Sequence, residues 1–123
     1  MAKVLIADDA AFIRMKLRKA LEELGLEVIE AANGAEAVQQ FNAHRPDLVL
    51  MDITMPEMDG LAALKAIVAQ DASAQVIMVS ALGQESVVMQ ALQAGAKDFV
   101  VKPFQPDQIK QVVQRWLQGN DRQ

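Results

Sequence analysis

Leu48-Val49-Leu50-Met51-Asp52 decides the fold. The first four residues are a continuous apolar run, the pattern of a strand covered on both faces, and a carboxylate stands at its C-terminal end. Upstream, Ala37, Val38 and Phe41 give a helix its apolar side. Pro46 ends that helix, and Asn33 with Glu36 three residues on resembles a capping box at its start. Glu27 to Glu30 reads as a short strand. Ile13, Leu17, Ala20, Leu21 and Leu24 share one helical face that Gly25 closes, and Val4 to Ala7 is the first strand. Downstream, Pro56 and Gly60 bracket a loop before a stripe of Leu61, Leu64, Ile67 and Val68. Val76 to Val79 is another buried strand ended by Ser80, and Val87, Val88, Met89, Ala91 and Leu92 belong to a fourth helix. Phe99-Val100-Val101 is the last strand, stopped by Lys102-Pro103. Ile109, Val112, Val113, Trp116 and Leu117 then mark a strongly amphipathic final helix. The unit strand–helix thus recurs five times, which predicts an α/β fold: a doubly wound (βα)5 parallel sheet with helices on both faces and right-handed crossovers. One domain is expected over residues 1–118, followed by a polar tail, 119–123.

Composition narrows the function. The 123 residues are 52% apolar, enough for a sizeable core, and the net charge of −4 disfavours direct nucleic-acid binding. With no cysteine, disulfides and thiolate metal sites are excluded. No stretch approaches the roughly 20 apolar residues of a membrane span, and the first apolar run is too short for a signal-peptide core. The expectation is a cytoplasmic domain that does not meet a membrane. His44, the single histidine, sits at the end of a polar helix and reads as a surface residue. The seven methionines read mostly as core filler. Arg14, Lys16, Arg18 and Lys19 read as a solvated helix face.

In a sheet of this kind, sites form outside the carboxyl ends of the strands. Asp8 and Asp9 follow the first strand, Asp52 ends the third, Ser80 the fourth and Lys102 the fifth. Singly, each has a blander explanation: a helix N-cap, a turn aspartate, a polar strand end, a solvated lysine. Together they place polar groups at one rim of four strands. Three carboxylates in one pocket repel, and at least one pKa should rise unless something neutralises them. A hard divalent cation does so, and Mg²⁺ suits a few carboxylates, several waters and phosphate oxygens. Asp52 can then act as a nucleophile toward phosphorus, with the metal and Lys102 offsetting the charge on the transferring group and the Ser80 hydroxyl donating to a phosphoryl oxygen.

These residues resemble the response-regulator receiver domains of two-component signalling. The resemblance covers about residues 3 to 118. It rests on Ala7-Asp8-Asp9, Met51-Asp52-Ile53-Thr54-Met55-Pro56-Glu57-Met58-Asp59-Gly60, Ser80-Ala81 and Lys102-Pro103-Phe104. Asp8-Asp9-Ala10-Ala11-Phe12 and the segment from Ala96 to Pro106 are most similar to stand-alone chemotaxis regulators of the CheY type. The resemblance implies a flavodoxin-like fold with strand order 2-1-3-4-5. It implies Asp52 as phosphoacceptor. Asp9 and Asp52 would ligate Mg²⁺, with Asp8 acting largely through water and the Thr54 backbone carbonyl as a further ligand. Lys102 would contact the phosphoryl group and be followed by a cis bond to Pro103. Ser80 and Phe99 would be the switch pair, and the face of helix four, strand five and helix five the partner surface, with Val88, Met89 and Phe99 on it. A sensor histidine kinase would be the phosphodonor and an effector, such as a flagellar motor switch protein, the target. The expectation is a monomer, and no dedicated enzyme but a domain that promotes its own phosphorylation and dephosphorylation. Phe99 stands where tyrosine is often found. Thr54 and Leu82 occupy positions that tune phosphoryl lifetime, and Leu82 offers no group to orient an attacking water, so slow-to-moderate self-hydrolysis is expected.

Val87, Val88 and Met89 are consecutive, and a helix cannot bury three consecutive positions equally against one sheet. At least one is expected to face outward. Three rival functions would share this topology or chemistry. A flavin binder of the same topology needs small and hydroxyl residues after the first strand, where Asp8-Asp9 would repel the flavin phosphate. A phosphohydrolase with an aspartate nucleophile usually carries an acid two residues on, where Thr54 stands. The chain could also be the receiver fragment of a DNA-binding regulator, or a phosphate sink. The initial Met1 and the polar end favour a stand-alone switch.

Overall fold

Strand and helix alternate along the computed structural model, which describes residues 1–121. The elements are β1 (Lys3–Ala7), α1 (Ala11–Glu23), β2 (Glu27–Ala31), α2 (Gly34–His44), β3 (Leu48–Met51), α3 (Gly60–Gln70), β4 (Val76–Ser80), α4 (Glu85–Gln93), β5 (Asp98–Val101) and α5 (Pro106–Asp121). The strands form one parallel sheet in the order β2-β1-β3-β4-β5. That is the doubly wound arrangement expected from the alternation, with the order the resemblance implies. β2 runs one residue beyond its expected end, because Ala31 pairs with Ala7. α5 continues to Asp121, so the backbone of the expected tail from Gly119 to Asp121 prolongs the helix. Residues 122 and 123 of that tail lie outside the described residues.

The period-2 pattern of the strands divides the core into two layers. Leu5, Ala7, Val49, Met51, Val76 and Met78 face one way and pack with Ala37, Phe41, Ala63, Leu64, Ile67 and Ala91 of α2, α3 and α4. Val4, Ile6, Leu48, Leu50, Ile77, Val79 and Val100 face the other way, onto α1 and α5 through Leu17, Leu21, Ile109 and Val113. β1, β3 and β4 are buried on both faces, which explains their unbroken apolar runs. Each fully buried Leu or Ile here contributes about 1.5–3 kcal/mol by leaving water.

Local chemistry sets the helix ends. The Asn33 side chain accepts from Glu36 N–H at 2.8 Å, as the capping pattern predicts. The return bond differs: the Glu36 carboxylate accepts from Ala32 N–H, not from the cap residue itself. Gly25 closes α1 with φ +77°, donating to the Glu22 carbonyl. α2 ends at His44, before Pro46, through Arg45 in the left-handed region.

Candidate functional site

Parallel register builds the site. Ala7 pairs with Met51, so the next residues, Asp8 and Asp52, emerge side by side where the sheet ends. Ser80 pairs with Val101, so Lys102 follows directly on the next strand over. Backbone bonds prolong these alignments: Asp52 N–H donates to the Ala7 carbonyl, Asp8 N–H to that of Ala31, and Lys102 N–H to that of Ser80. Asp8, Asp52, Ser80 and Lys102, four of the five residues expected at the rim, therefore lie at the same ends of neighbouring strands.

Asp8 and Asp52 are 1% and 6% exposed, while Asp9 is exposed. One carboxylate oxygen from each of the three lies within 4.8 Å of the others. Lys102 Nζ donates to Asp8 Oδ2 at 2.6 Å and to Asp52 Oδ2 at 3.2 Å. Asp8 Oδ1 accepts from Ala10 N–H at 2.9 Å, and Asp52 Oδ1 from Ile53 N–H at 2.8 Å. Burial pushes the Asp52 carboxyl above its ordinary value; Lys102 opposes the rise and Asp8 adds to it. Carboxylate crowding, the cause anticipated from sequence, is thus the lesser of the two raising effects. Lys102 is also raised: burial alone would lower it, but the carboxylates of Asp8 and Asp52 together outweigh burial. One ammonium thus spans two of three clustered carboxylates. The donors are all hard oxygens, a set that fits a divalent cation such as Mg²⁺.

The other expected residues fall around this centre. Ser80 is buried at the end of β4, and its Oγ accepts from Leu82 N–H at 3.1 Å. Thr54 lies two residues past Asp52 in the β3–α3 loop with its side chain exposed. The Lys102–Pro103 bond is cis. Phe99 is half-buried on β5 and packs against the core layer beneath α2, α3 and α4. In α4 only Ala91 is buried. Val87 and Val88 are half-buried and Met89 is 48% exposed, so one of the three consecutive residues does turn outward. Leu92 on α4 and Val101 on the edge strand β5 are also exposed, at 41% and 45%.

Two features escaped the sequence. Arg14 and Arg18 are not a solvated face: both are half-buried and bind Glu30, and Arg14 Nη1 also donates to the Asp8 carbonyl at 2.7 Å. An acid at the end of β2 facing two arginines one turn apart on α1 was the available signal. The second is Gly60, whose N–H donates to the Ile53 carbonyl at 2.7 Å. A Cβ there would overlap the Asp52 carbonyl oxygen and stand 2.7 Å from its carbon. Glycine is what lets α3 begin against the backbone of Asp52.

A doubly wound sheet with an acidic cluster and a lysine at its carboxyl rim defines a class of site suited to a cation and a phosphoryl group. The chain matches the response regulator receiver domain over residues 4–114, and it belongs to that family. It is 56% identical over 116 residues to the chemotaxis protein CheY of Bacillus subtilis, covering 94% of this chain and 97% of that protein. It is 50% identical over 114 residues to CheY of Thermotoga maritima, covering 92% and 95%. Among solved structures it resembles a chain of the CheX–CheY–BeF3–Mg²⁺ complex from Borrelia burgdorferi. The TM-score is 0.88 at 43% identity, covering 91% of this chain and 86% of that one.

Proposed function

We propose that this receiver domain is a chemotaxis switch, phosphorylated on Asp52 by a sensor histidine kinase and read by an effector such as a flagellar motor switch protein. The observation that carries the reading is the meeting of Asp8, Asp9 and Asp52 within 4.8 Å under a lysine that touches two of them. Asp9 and Asp52 hold Mg²⁺, Asp8 acts through water, and the Thr54 carbonyl is a further ligand. Bound there, Mg²⁺ supplies positive charge against the phosphoryl oxygens. The Asp52 carboxylate attacks phosphorus; the bond to the donor histidine nitrogen breaks, and that nitrogen keeps the electron pair. Lys102 neutralises the incoming charge, releasing its hold on the carboxylates to do so. Ser80 Oγ gives up its bond from Leu82 N–H and turns its hydroxyl to the phosphoryl group, and Phe99 moves inward behind it.

The readout is the α4–β5–α5 face, whose α4 and β5 elements carry Val88, Met89 and Phe99 together with exposed Leu92 and Val101. The beryllofluoride and Mg²⁺ in the related Borrelia complex, and the CheX bound there, support a site and a partner surface of this kind. No helix among the described residues is long and apolar enough to cross a membrane. We place the working unit, a monomer, at residues 1–118 and its place of action in the cytoplasm. Leu82, without an acid or amide, leaves the acyl phosphate to hydrolyse slowly to moderately; a half-life of only seconds would contradict this.

Labelling with a small-molecule phosphodonor tests the reading. Incorporation of one phosphoryl group that needs Mg²⁺ and vanishes in Asp52→Asn is expected. Labelling that persists in Asp52→Asn would refute it.

A further inference from the structure

Asp9 is the exposed member of the acidic cluster, and among the described residues its side chain enters no hydrogen bond or ion pair. Asp8 is held by Lys102 and Ala10 N–H, and Asp52 by Lys102 and Ile53 N–H. Where the Asp9 carboxylate stands therefore depends on its backbone. The peptide that joins Asp8 to Asp9 offers its carbonyl oxygen to Arg14, one turn into α1. The same guanidinium donates through Nε to Glu30 Oε1 at 2.9 Å, so the fork is anchored on β2 while it grips the loop. Ala10, the cap residue of α1, makes no side-chain cap bond, so the loop has no such support from its own cap.

Charge fits this role. An unpaired cation beside the loop would oppose a dication. Glu30 offsets it; Arg18, whose Nε reaches Glu30 Oε2 at 2.6 Å, draws on the same carboxylate but is also met by Glu22. The two arginines differ at the loop: Arg14 touches the metal-site backbone, whereas Arg18 reaches Glu22 instead.

We infer that Arg14 is a positioning residue for the Mg²⁺ site: its guanidinium fixes the Asp8–Asp9 peptide so that Asp9 meets the same cation as Asp52. The inference rests on the metal site proposed above. Outer groups that orient metal ligands change affinity by about ten- to a hundredfold when removed.

Calorimetric titration of Mg²⁺ into wild type, Arg14→Ala, Arg14→Lys and Arg18→Ala, well below their melting temperatures, tests it. Arg14→Ala should weaken binding about tenfold. Arg14→Lys should lose at least about threefold, since an ammonium lacks the fork that grips both partners. Arg18→Ala, which loses the same glutamate but no loop contact, should bind within about twofold of wild type. Phosphodonor labelling of Arg14→Ala should return to near the wild-type rate at saturating Mg²⁺, which a general loss of structure would not allow. Arg14→Ala binding as wild type does, or Arg18→Ala weakened as much as Arg14→Ala, would overturn the inference. If Arg14→Ala does not fold, Arg14→Lys decides, and unchanged affinity there overturns it. A flat titration for wild type would instead remove the metal site itself, and Arg14's role with it.

Discussion

Replacing Gly60 with alanine puts a methyl group into the backbone that carries the proposed phosphoacceptor. The new Cβ would overlap the Asp52 carbonyl oxygen and lie 2.7 Å from the Asp52 carbonyl carbon and 2.9 Å from Ile53 Cα. Ordinary contact begins near 3.4 Å. All three neighbours are main chain, so no rotamer change relieves the overlap, and the Asp52–Ile53 peptide or the start of α3 must move by about an ångström. Overpacking of this kind costs about 1–3 kcal/mol, and backbone neighbours put Gly60→Ala at the upper end. For a chain of 123 residues, unfolding entropy converts each kcal/mol into about 4 °C of melting temperature. A drop of about 12 °C is expected. The chemistry should suffer as well, because a displacement of about an ångström at a reacting group costs roughly a hundredfold in rate. Calorimetry and phosphodonor labelling at a temperature where the variant is folded would measure both. Gly25→Ala is the control: its φ of +77° strains an alanine, but nothing lies within 4 Å of the added Cβ. It should lose about 1–2 kcal/mol to left-handed strain and label at the wild-type rate. If Gly60→Ala melts and labels like wild type, the reasoning from close approach is wrong.

Asp52 gives a pH dependence. Its pKa is raised above 3.8, by burial first, so the folded protein holds that proton more tightly than the unfolded chain. Its contribution therefore favours folding below about pH 4 and is lost as pH rises through the folded-state value. Metal-free Asp52→Asn should melt above wild type at pH 7, with the gap closing toward pH 4 in melting curves; a variant that melts lower at pH 7 would contradict this. Lys102→Ala removes the only side-chain cation bonded to Asp8 and Asp52 among the described residues. It should bind Mg²⁺ more tightly by calorimetry yet label about a hundredfold more slowly. Met89→Glu, on an exposed position of α4, should change stability by no more than about 0.5 kcal/mol while weakening effector binding in a pull-down.

The fold was legible because its strands are buried on both faces. Leu48 to Met51 and Val76 to Val79 carry no polar residue to confuse their period, and Asn33, Gly25 and Pro46 punctuate the helices as their chemistry requires. The rim was legible for a topological reason: each candidate sits at or just after the end of a strand, and parallel register then brings such residues together. Contacts that depend on three-dimensional approach were not. Arg14 looks like any surface arginine until β2 sets Glu30 opposite it, a partner 16 residues away. Gly60 reads as a loop glycine, because nothing local says that Asp52 will lie against it. The weight of burial over charge repulsion at Asp52 likewise depends on how deeply the sheet's end is covered.

Reductive trapping locates the phosphoryl group most directly. Borohydride converts an aspartyl phosphate to homoserine, and peptide mapping of the labelled protein after that treatment reads the position. Homoserine at position 52, and only when Mg²⁺ was present during labelling, is the expected result. Homoserine at another carboxylate, or labelled protein that yields none, would contradict a phosphorylation site at Asp52.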